Sequence, residues 1–385
     1  MSASSNNVKK LVFLLITLLC VVVAVLYTRF AARTANVTVG NLASAPTVQS
    51  LSVVPLGSPS ANPPAHSQRE PLQRPSVSPL ASRSDNPAPP SHELGGQSQA
   101  KPHLVALNLR DSAELGKVTL SALDAVDGPR TTINLRCEKI YFAADKGICL
   151  SREIRGFSAR TVATLVDANF QPLSSVRTDG IPTRARISPD GRYAAFTVFV
   201  SGHSYADAQM STATLLLDAA AGASLGNLEE FKVLQDGNVI KSLDFNYWGV
   251  TFQHDSNFFY ATLRTSGVNY LVHGDIKAKT VTVTYRGVEC PSLSPDESRI
   301  AFKKMISRGN WRLTVLNLTT FEEIPLAETR SVDDQAEWLD NDHVLYTRLE
   351  PAAPPPGMSI MVVSADGSGQ AKLFAKGAAS PAVVR

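Results

Sequence analysis

One segment of this 385-residue sequence imitates a catalytic motif. Gly202-His203-Ser204-Tyr205-Ala206 has the spacing of a nucleophile elbow, with Ala in place of the last Gly. That chemistry needs a sharp strand-to-helix turn that lifts a serine hydroxyl above an α/β sheet. Here a β-type run precedes the segment and a polar loop reaching Thr212 follows it, so the context denies the serine its role. The 7 histidines are scattered. The chain has no His-Glu-x-x-His, no cysteine pair at zinc spacing and no glycine-rich phosphate loop. No catalytic residue, metal or cofactor is expected.

Carboxylates remain. Asp190 and Asp296 each follow a proline, where a carboxylate caps the backbone N–H groups of a turn. A second set consists of Asp244, Glu289, Asp333, Asp334 and Glu337, with Arg184 and Arg186 as basic neighbours. Such a set recognises a cation or a basic peptide if the fold gathers it on one rim. Two further candidates are His203 and Tyr205, on the long loop 201–212. Loops on a rigid scaffold are where binding concentrates. Tyr247, in Asn246-Tyr247-Trp248-Gly249, joins the rim set, with inter-blade packing as its other reading.

The elements that must position these residues are strands. Ile187-Ser188-Pro189-Asp190-Gly191-Arg192-Tyr193-Ala194-Ala195-Phe196 is echoed by Leu293-Ser294-Pro295-Asp296-Glu297-Ser298-Arg299-Ile300-Ala301-Phe302. Self-similarity at such spacing, with β-type patterning, marks a repeat architecture. Aligning the chain from His103 onward to this phrase yields five units of short strands. The first takes 132–135 as its opening strand, and the later ones begin near 183, 242, 289 and 335. The runs 104–110 and 118–124 lack a first strand, and 380–384 is a first strand with nothing after it. Joining them closes a ring of six blades and removes exposed sheet edges. In a propeller all inner strands start at the same mouth. Asp244, Tyr247, Glu289, Asp333 and Asp334 are therefore expected to gather there, and neutralising Asp333 and Asp334 together, as exposed turn charges, is expected to leave stability nearly unchanged.

The repeated phrase resembles the PD40 repeats of TolB-like six-bladed β-propellers, over about His103 to Arg385. Trp338-Leu339-Asp340-Asn341-Asp342 and Ala365-Asp366-Gly367-Ser368-Gly369 are further variants. The layout is similar to that of actinobacterial membrane-anchored TolB-like translocation proteins. The α/β domain that precedes the TolB propeller has no counterpart here.

Ahead of the repeats, Leu11 to Tyr27 carries no charged residue, with Lys9 and Lys10 before it and Arg29 and Arg33 after. Its length suits a spanning helix, and the lysines favour an N-terminus in the cytoplasm. No small-residue cleavage pattern follows it, so an uncleaved anchor is expected, with a cleaved signal as the alternative. Eleven prolines between Pro46 and Pro90 rule out a sheet or long helix there. The expected order is a cytoplasmic tail over 1–10, a transmembrane signal anchor over 11–28, a disordered Pro/Ser-rich linker over 29–101 and an all-β six-bladed propeller over 102–385. The net charge of +3 comes without a basic stripe, which argues against nucleic acid. Cys137 and Cys149 flank a predicted hairpin and would sit near its opposite ends, so they are not expected to pair.

The resulting expectation is a non-enzymatic propeller held in a bacterial cell membrane by a single pass, on the extracytoplasmic side, binding an envelope protein or peptide. The resemblance adds TolB-type scaffolding or translocation-associated work. The alternative is a channel-metal-dependent propeller hydrolase such as a lactonase, which requires carboxylates or histidines converging on one point.

Overall fold

The computed structural model describes residues 101–110, 112–126, 128–155, 158–202, 204–207, 209–350 and 357–385. The expected tail and anchor, and the expected linker up to residue 100, lie outside the described residues, as does His203. Among the described residues no helix is long and apolar enough to cross a membrane.

Six sheets form the blades. From the inside outward, the first blade is Ala378–Val384, His103–Asn108, Lys117–Ala122 and Thr131–Arg136. The second is Lys139–Ala143, Lys146–Arg155, Ser158–Val166 and Pro172–Asp179. The third is Ile181–Ile187, Tyr193–Ser201, Ser211–Asp218 and Ala223–Asn227. The fourth is Asn246–Phe252, Phe258–Thr265, Val268–Asp275 and Thr280–Arg286. The fifth is Glu289–Leu293, Arg299–Ser307, Asn310–Asn317 and Glu323–Pro325. The sixth is Glu337–Trp338, His343–Glu350, Gly357–Ser364 and Lys372–Ala375. We call the face at the inner-strand starts the upper face and the one at their ends the lower face.

The expected closure is present: Ala378–Val384 pairs antiparallel with His103–Asn108, setting His103 opposite Val384. Two assignments differ from the sequence reading. Thr131–Arg136 is the outer strand of the first blade, hydrogen-bonded to Lys117–Ala122, and does not open the second. A hairpin, Lys232–Gln235 with Asn238–Ile240, was not foreseen. It adds in parallel to the outer strand of the fourth blade, turning at Asp236-Gly237.

The repeated phrase has the same physics in both copies. Ser188 Oγ donates to Asp190 Oδ1 at 2.6 Å, and the amide N–H of Arg192 donates to the same oxygen at 2.9 Å. Ser294 Oγ donates to Asp296 Oδ1 at 2.6 Å, and the Ser298 amide does so at 3.0 Å. Both aspartates cap their turns, as the sequence implied. Beyond each turn, neighbouring residues pack against opposite blades. Phe196 and Ala194 join the cluster containing Ile148 and Leu165, and Ala195 joins that of Tyr247 and Phe259. A strand covered on both faces needs apolar residues at successive positions, which is why the phrase lacks clean alternation.

The inner strands carry devices of their own. Pro182, Pro291 and Pro381 sit on three of them, where the inner edge needs no ladder donor. Register breaks fall at Pro182/Arg184, Trp248/Thr251 and Glu289/Ser292. Gly249 occupies one break at φ +68, and a Cβ there would come within 2.6 Å of Cys290 Cα in the next blade. Adjacent bulges thus nest around the axis, and only glycine permits the contact.

Cys137 and Cys149 form a disulfide, with Cα atoms 5.5 Å apart, contrary to the sequence expectation. Cys137 is not on the hairpin strand. Its N–H donates to Gly116 O of the first blade, so it lies in the crossover between blades, directly over Cys149 of the second. The bond ties the closing blade to its neighbour. We expect Cys137→Ser to cost about 3 kcal/mol, the value for a short closed loop. Thermal unfolding with and without reductant checks this. Reductant should lower the melting temperature of the parent and leave the variant unchanged, and an insensitive parent would refute it.

Candidate functional site

The channel has two unlike mouths. At the upper one, the structure gathers Glu289, Asp333, Asp334 and Tyr205, yet it buries most of them. Lys303 is fully buried on the second strand of the fifth blade and donates to Asp333 Oδ1 at 2.5 Å. Its ammonium lies 4.6 Å from the Tyr205 ring centre and 4.2 Å from that of Trp311. Arg184 Nη2 donates to the same Asp333 oxygen at 3.2 Å. Burial would raise the Asp333 carboxyl pKa, but Lys303 and Arg184 outweigh it and hold it below the ordinary value. Asp334 is buried and accepts the Thr347 amide at 3.0 Å. Glu289 is buried and accepts Trp311 Nε1 at 3.1 Å, and burial pushes its pKa up.

This corrects the expected rim. Glu289, Asp333 and Asp334 do meet, but as partners of buried groups rather than as free turn charges. Tyr205 is a plug: its hydroxyl shares a hydrogen bond with Thr183 Oγ1 at 2.9 Å, and its ring packs 5.0 Å from Trp248. Arg308 Nε donates to Ala206 O at 2.9 Å, pinning the loop to the fifth blade. Ser204 sits in a turn closed by Asp207 Oδ2, which accepts its amide at 2.9 Å, with no following helix. Tyr247 is fully buried among Phe252, Phe259 and Val281, in the inter-blade packing that was its other reading. Asp244 stays exposed, but its carboxylate accepts Ser242, Thr265 and Ser266 and so belongs to a turn. Its pKa is lowered by those same bonds, Ser242 first.

The open space is at the lower mouth. A cavity of about 320 Å³ is lined by the ends of all six inner strands, among them Tyr141, Arg186, Phe252, Leu293, Glu337 and Val384. Pro189 and Pro295, from the two repeated phrases, stand on its rim. On its floor, Arg186 Nη2 donates to Ala336 O at 2.7 Å and lies 3.4 Å from Glu337 Oε2. The guanidinium covers the Tyr141 ring at 4.3 Å, and the Tyr141 hydroxyl donates to Glu337 Oε1 at 3.4 Å. Burial pushes the Glu337 carboxyl pKa up, and Arg186 opposes it. Higher up, His254 Nδ1 lies 3.4 Å from Glu297 Oε1, with the imidazole largely exposed. Arg385 Nη2 donates to Trp338 O at 2.8 Å.

Around this mouth the turns expose Asp145, Asp190, Asp255, Asp296, Asp340 and Asp366. All but Asp145 accept a backbone amide of their own turn, so a repeated folding device makes this face acidic. Burial would raise the Asp296 carboxyl, but its hydroxyl and amide donors and Arg299 bring it down to about 2. Asp296 therefore stays charged at neutral pH. This acidic rim is made of other carboxylates than those singled out in the sequence, and it lies at the inner-strand ends rather than at their starts. Among the described residues, no three His, Cys, Asp or Glu side chains converge to hold a metal ion.

Sequence reasoning also missed Lys303 and the His254–Glu297 pair. Lys303 does leave a signal. It shares strand parity with buried Ala301, a face on which a lysine must find a partner.

No family model matches the chain, and no curated protein matches its sequence. Solved structures do match in fold. TolB from Acinetobacter baumannii is 16% identical, over 75% of this chain and 68% of that one, with a TM-score of 0.51. A putative TolB from Agrobacterium tumefaciens is 14% identical, over 71% of this chain and 88% of that one, at 0.41. A puromycin-hydrolyzing peptidase from Mycobacterium tuberculosis is 13% identical, over 72% and 44%, at 0.44. At these identities the likeness is one of fold, and the described domain is a TolB-like six-bladed propeller.

The upper plug generates a stability prediction opposite in sign to the one drawn from sequence. Asp333→Asn removes the carboxylate that a fully buried ammonium depends on and should cost about 3 kcal/mol. Adding Lys303→Met should restore most of that loss, because the pair is replaced as a unit. Urea unfolding of the two variants checks this. Equal stability of the single variant and the parent would refute it.

Proposed function

We propose that the lower-face cavity is a recognition site for a basic segment of an envelope protein or peptide, and that the propeller acts as a non-catalytic scaffold. The observation that carries this reading is the cavity itself: one open concavity formed by all six inner strands, ringed by carboxylates fixed in their turns. A cavity of about 320 Å³ admits a few side chains of an extended segment. The surrounding carboxylates favour positive charge and steer its approach. The floor suits binding better than turnover, because Arg186, Glu337 and Tyr141 already engage one another. The similarity to TolB structures agrees with a scaffold in fold alone.

The same reading places the domain outside the cytoplasm, held by the uncleaved anchor expected over residues 11–28. The Cys137–Cys149 bond supports this, since structural disulfides persist in oxidising compartments.

Two experiments test the proposal. A photoreactive amino acid at His254, whose side chain faces the lower mouth, should yield a discrete protein adduct in cells. The adduct should be lost when Asp340 and Asp342 are changed together to Lys, in a protein that remains folded at the assay temperature although the lost Asp340 cap lowers its melting temperature. Absence of an adduct from positions 189, 254 and 295 alike, or one insensitive to the charge reversal, would refute the site. For the address, a reporter fused after Arg385 should be active only outside the cytoplasm. Mature protein starting beyond Ala32 would instead establish a cleaved signal.

A further inference from the structure

We infer that the upper face is a docking surface for an anionic lipid bilayer. The inference rests on neither the lower cavity nor the anchor. It begins from where the exposed aliphatic residues stand. Leu243 is fully exposed, Ile154 is 76% exposed, Ile306 61%, Leu349 55%, and Leu115 and Val200 are each 49%. Each blade has one, and in the sixth Met358, 42% exposed, stands opposite Leu349. Five flank the turns joining second to third strands, and Leu243 lies on the chain entering the fourth blade. All six turns or connections open on the upper face. On the lower face the exposed large apolar residues are Leu173, Phe321 and Leu373, at outer third-to-fourth turns away from the mouth.

The charge on this face has one dominant sign. Arg110, Arg286, Arg308 and Lys376 are exposed there. Arg110 Nε and Arg308 Nε each donate at 2.9 Å to backbone carbonyls, which leaves their charges uncancelled. Asp236 is exposed at the turn of the outer hairpin, and the other exposed carboxylates of this face are already engaged. Asp179 accepts Arg160 Nε at 2.8 Å, Asp333 serves Lys303 and Arg184, and Asp244 caps its turn. Buried Glu328 faces two cations, Arg330 and Arg348.

Separate aliphatic tips held on a rigid perimeter do not make the contiguous patch that a folded partner covers. They suit a planar fluid surface into which each inserts independently. Burial of several tips plus attraction to anionic headgroups provides the two signals that lasting membrane contact requires. The lower face, ringed by aspartates, is repelled by the same surface, so the two faces select one orientation.

The test uses the full chain with vesicles of phosphatidylcholine, alone or with about one-third phosphatidylglycerol. Each contains a lipid with a photoactivatable group at headgroup level. Lipid-modified peptides are mapped by mass spectrometry, and adducts within residues 1–100 are set aside. Adducts should concentrate around Ile154, Ile306 and Leu349 in the anionic vesicles. They should fall about fivefold in neutral vesicles, or on pairing Arg286→Glu with Lys376→Glu. The pair Ile306→Asp with Leu349→Asp should remove them, with thermal unfolding unaltered because all four sites are exposed. Three outcomes overturn the inference: adducts spread equally over both faces, adducts centred on Asp190 and Asp296, or adducts indifferent to lipid charge. Failure of lipid labelling, with the aliphatic pair of substitutions instead abolishing co-purification of a defined protein, would assign the face to that protein.

Discussion

The structure depends on one strand, Ala378–Val384, reaching across the whole chain to pair with His103–Asn108. Without it the first and sixth blades would each present an unpaired edge, and the ring would have no reason to close. The strand also organises the axis. Ser380 bonds both ways to the backbone of Ile140 in the second blade, and its amide donates to Thr347 Oγ1 in the sixth. The Val383 amide donates to Glu337, the carboxylate on the cavity floor. Val383, Val384 and Arg385 then complete the cavity wall. Closure and site are therefore one event: whatever opens the ring also dismantles the lower mouth.

Six blades around an axis leave a tunnel, and the chain treats its two halves differently. The upper half is filled by a buried ammonium between two aromatic rings, held by a carboxylate and a guanidinium. Only the ammonium end of this pair is buried, the Asp333 side chain being 42% exposed, and such a pair rarely contributes net stability against an apolar alternative of the same shape. It does oblige Tyr205, Trp311 and Asp333, from three separate segments, to adopt one arrangement. That obligation turns the long loop after Ser201 into a lid fixed in place. The lower half stays open beyond a floor in which Arg186 of the third blade reaches across the axis to Glu337 of the sixth, with Tyr141 of the second against both.

The blade count, the closing strand and the turn-capping role of Asp190 and Asp296 were legible in the sequence, because local patterns carry them. A Pro-Asp turn followed by small apolar residues and Phe encodes its hydrogen bonds within ten residues. The disulfide was misread for the opposite reason. Whether Cys137 lies on the hairpin or in the crossover depends on the outer strand of another blade. Asp333 was misread because the residue that decides its role, Lys303, lies thirty positions earlier and meets it only across a blade interface. Which mouth stays open was not legible at all. That outcome depends on side-chain volume summed around the axis, where Trp248, Tyr205 and Trp311 happen to fall on the upper side.

The two faces owe their opposite charge to the same topology. Turns between first and second strands, and between third and fourth, lie on the lower face and take aspartate because aspartate caps tight turns. The upper face carries the second-to-third turns and the crossovers, where arginine, lysine and exposed aliphatic residues stand. A linker of the composition seen over residues 29–101 would set how far the propeller travels from an anchor, but not which way it faces. Orientation has to come from the surface of the domain. A basic, aliphatic upper face and an acidic, concave lower face supply it, turning the sealed end of the channel toward the bilayer and the open end toward whatever the cavity binds.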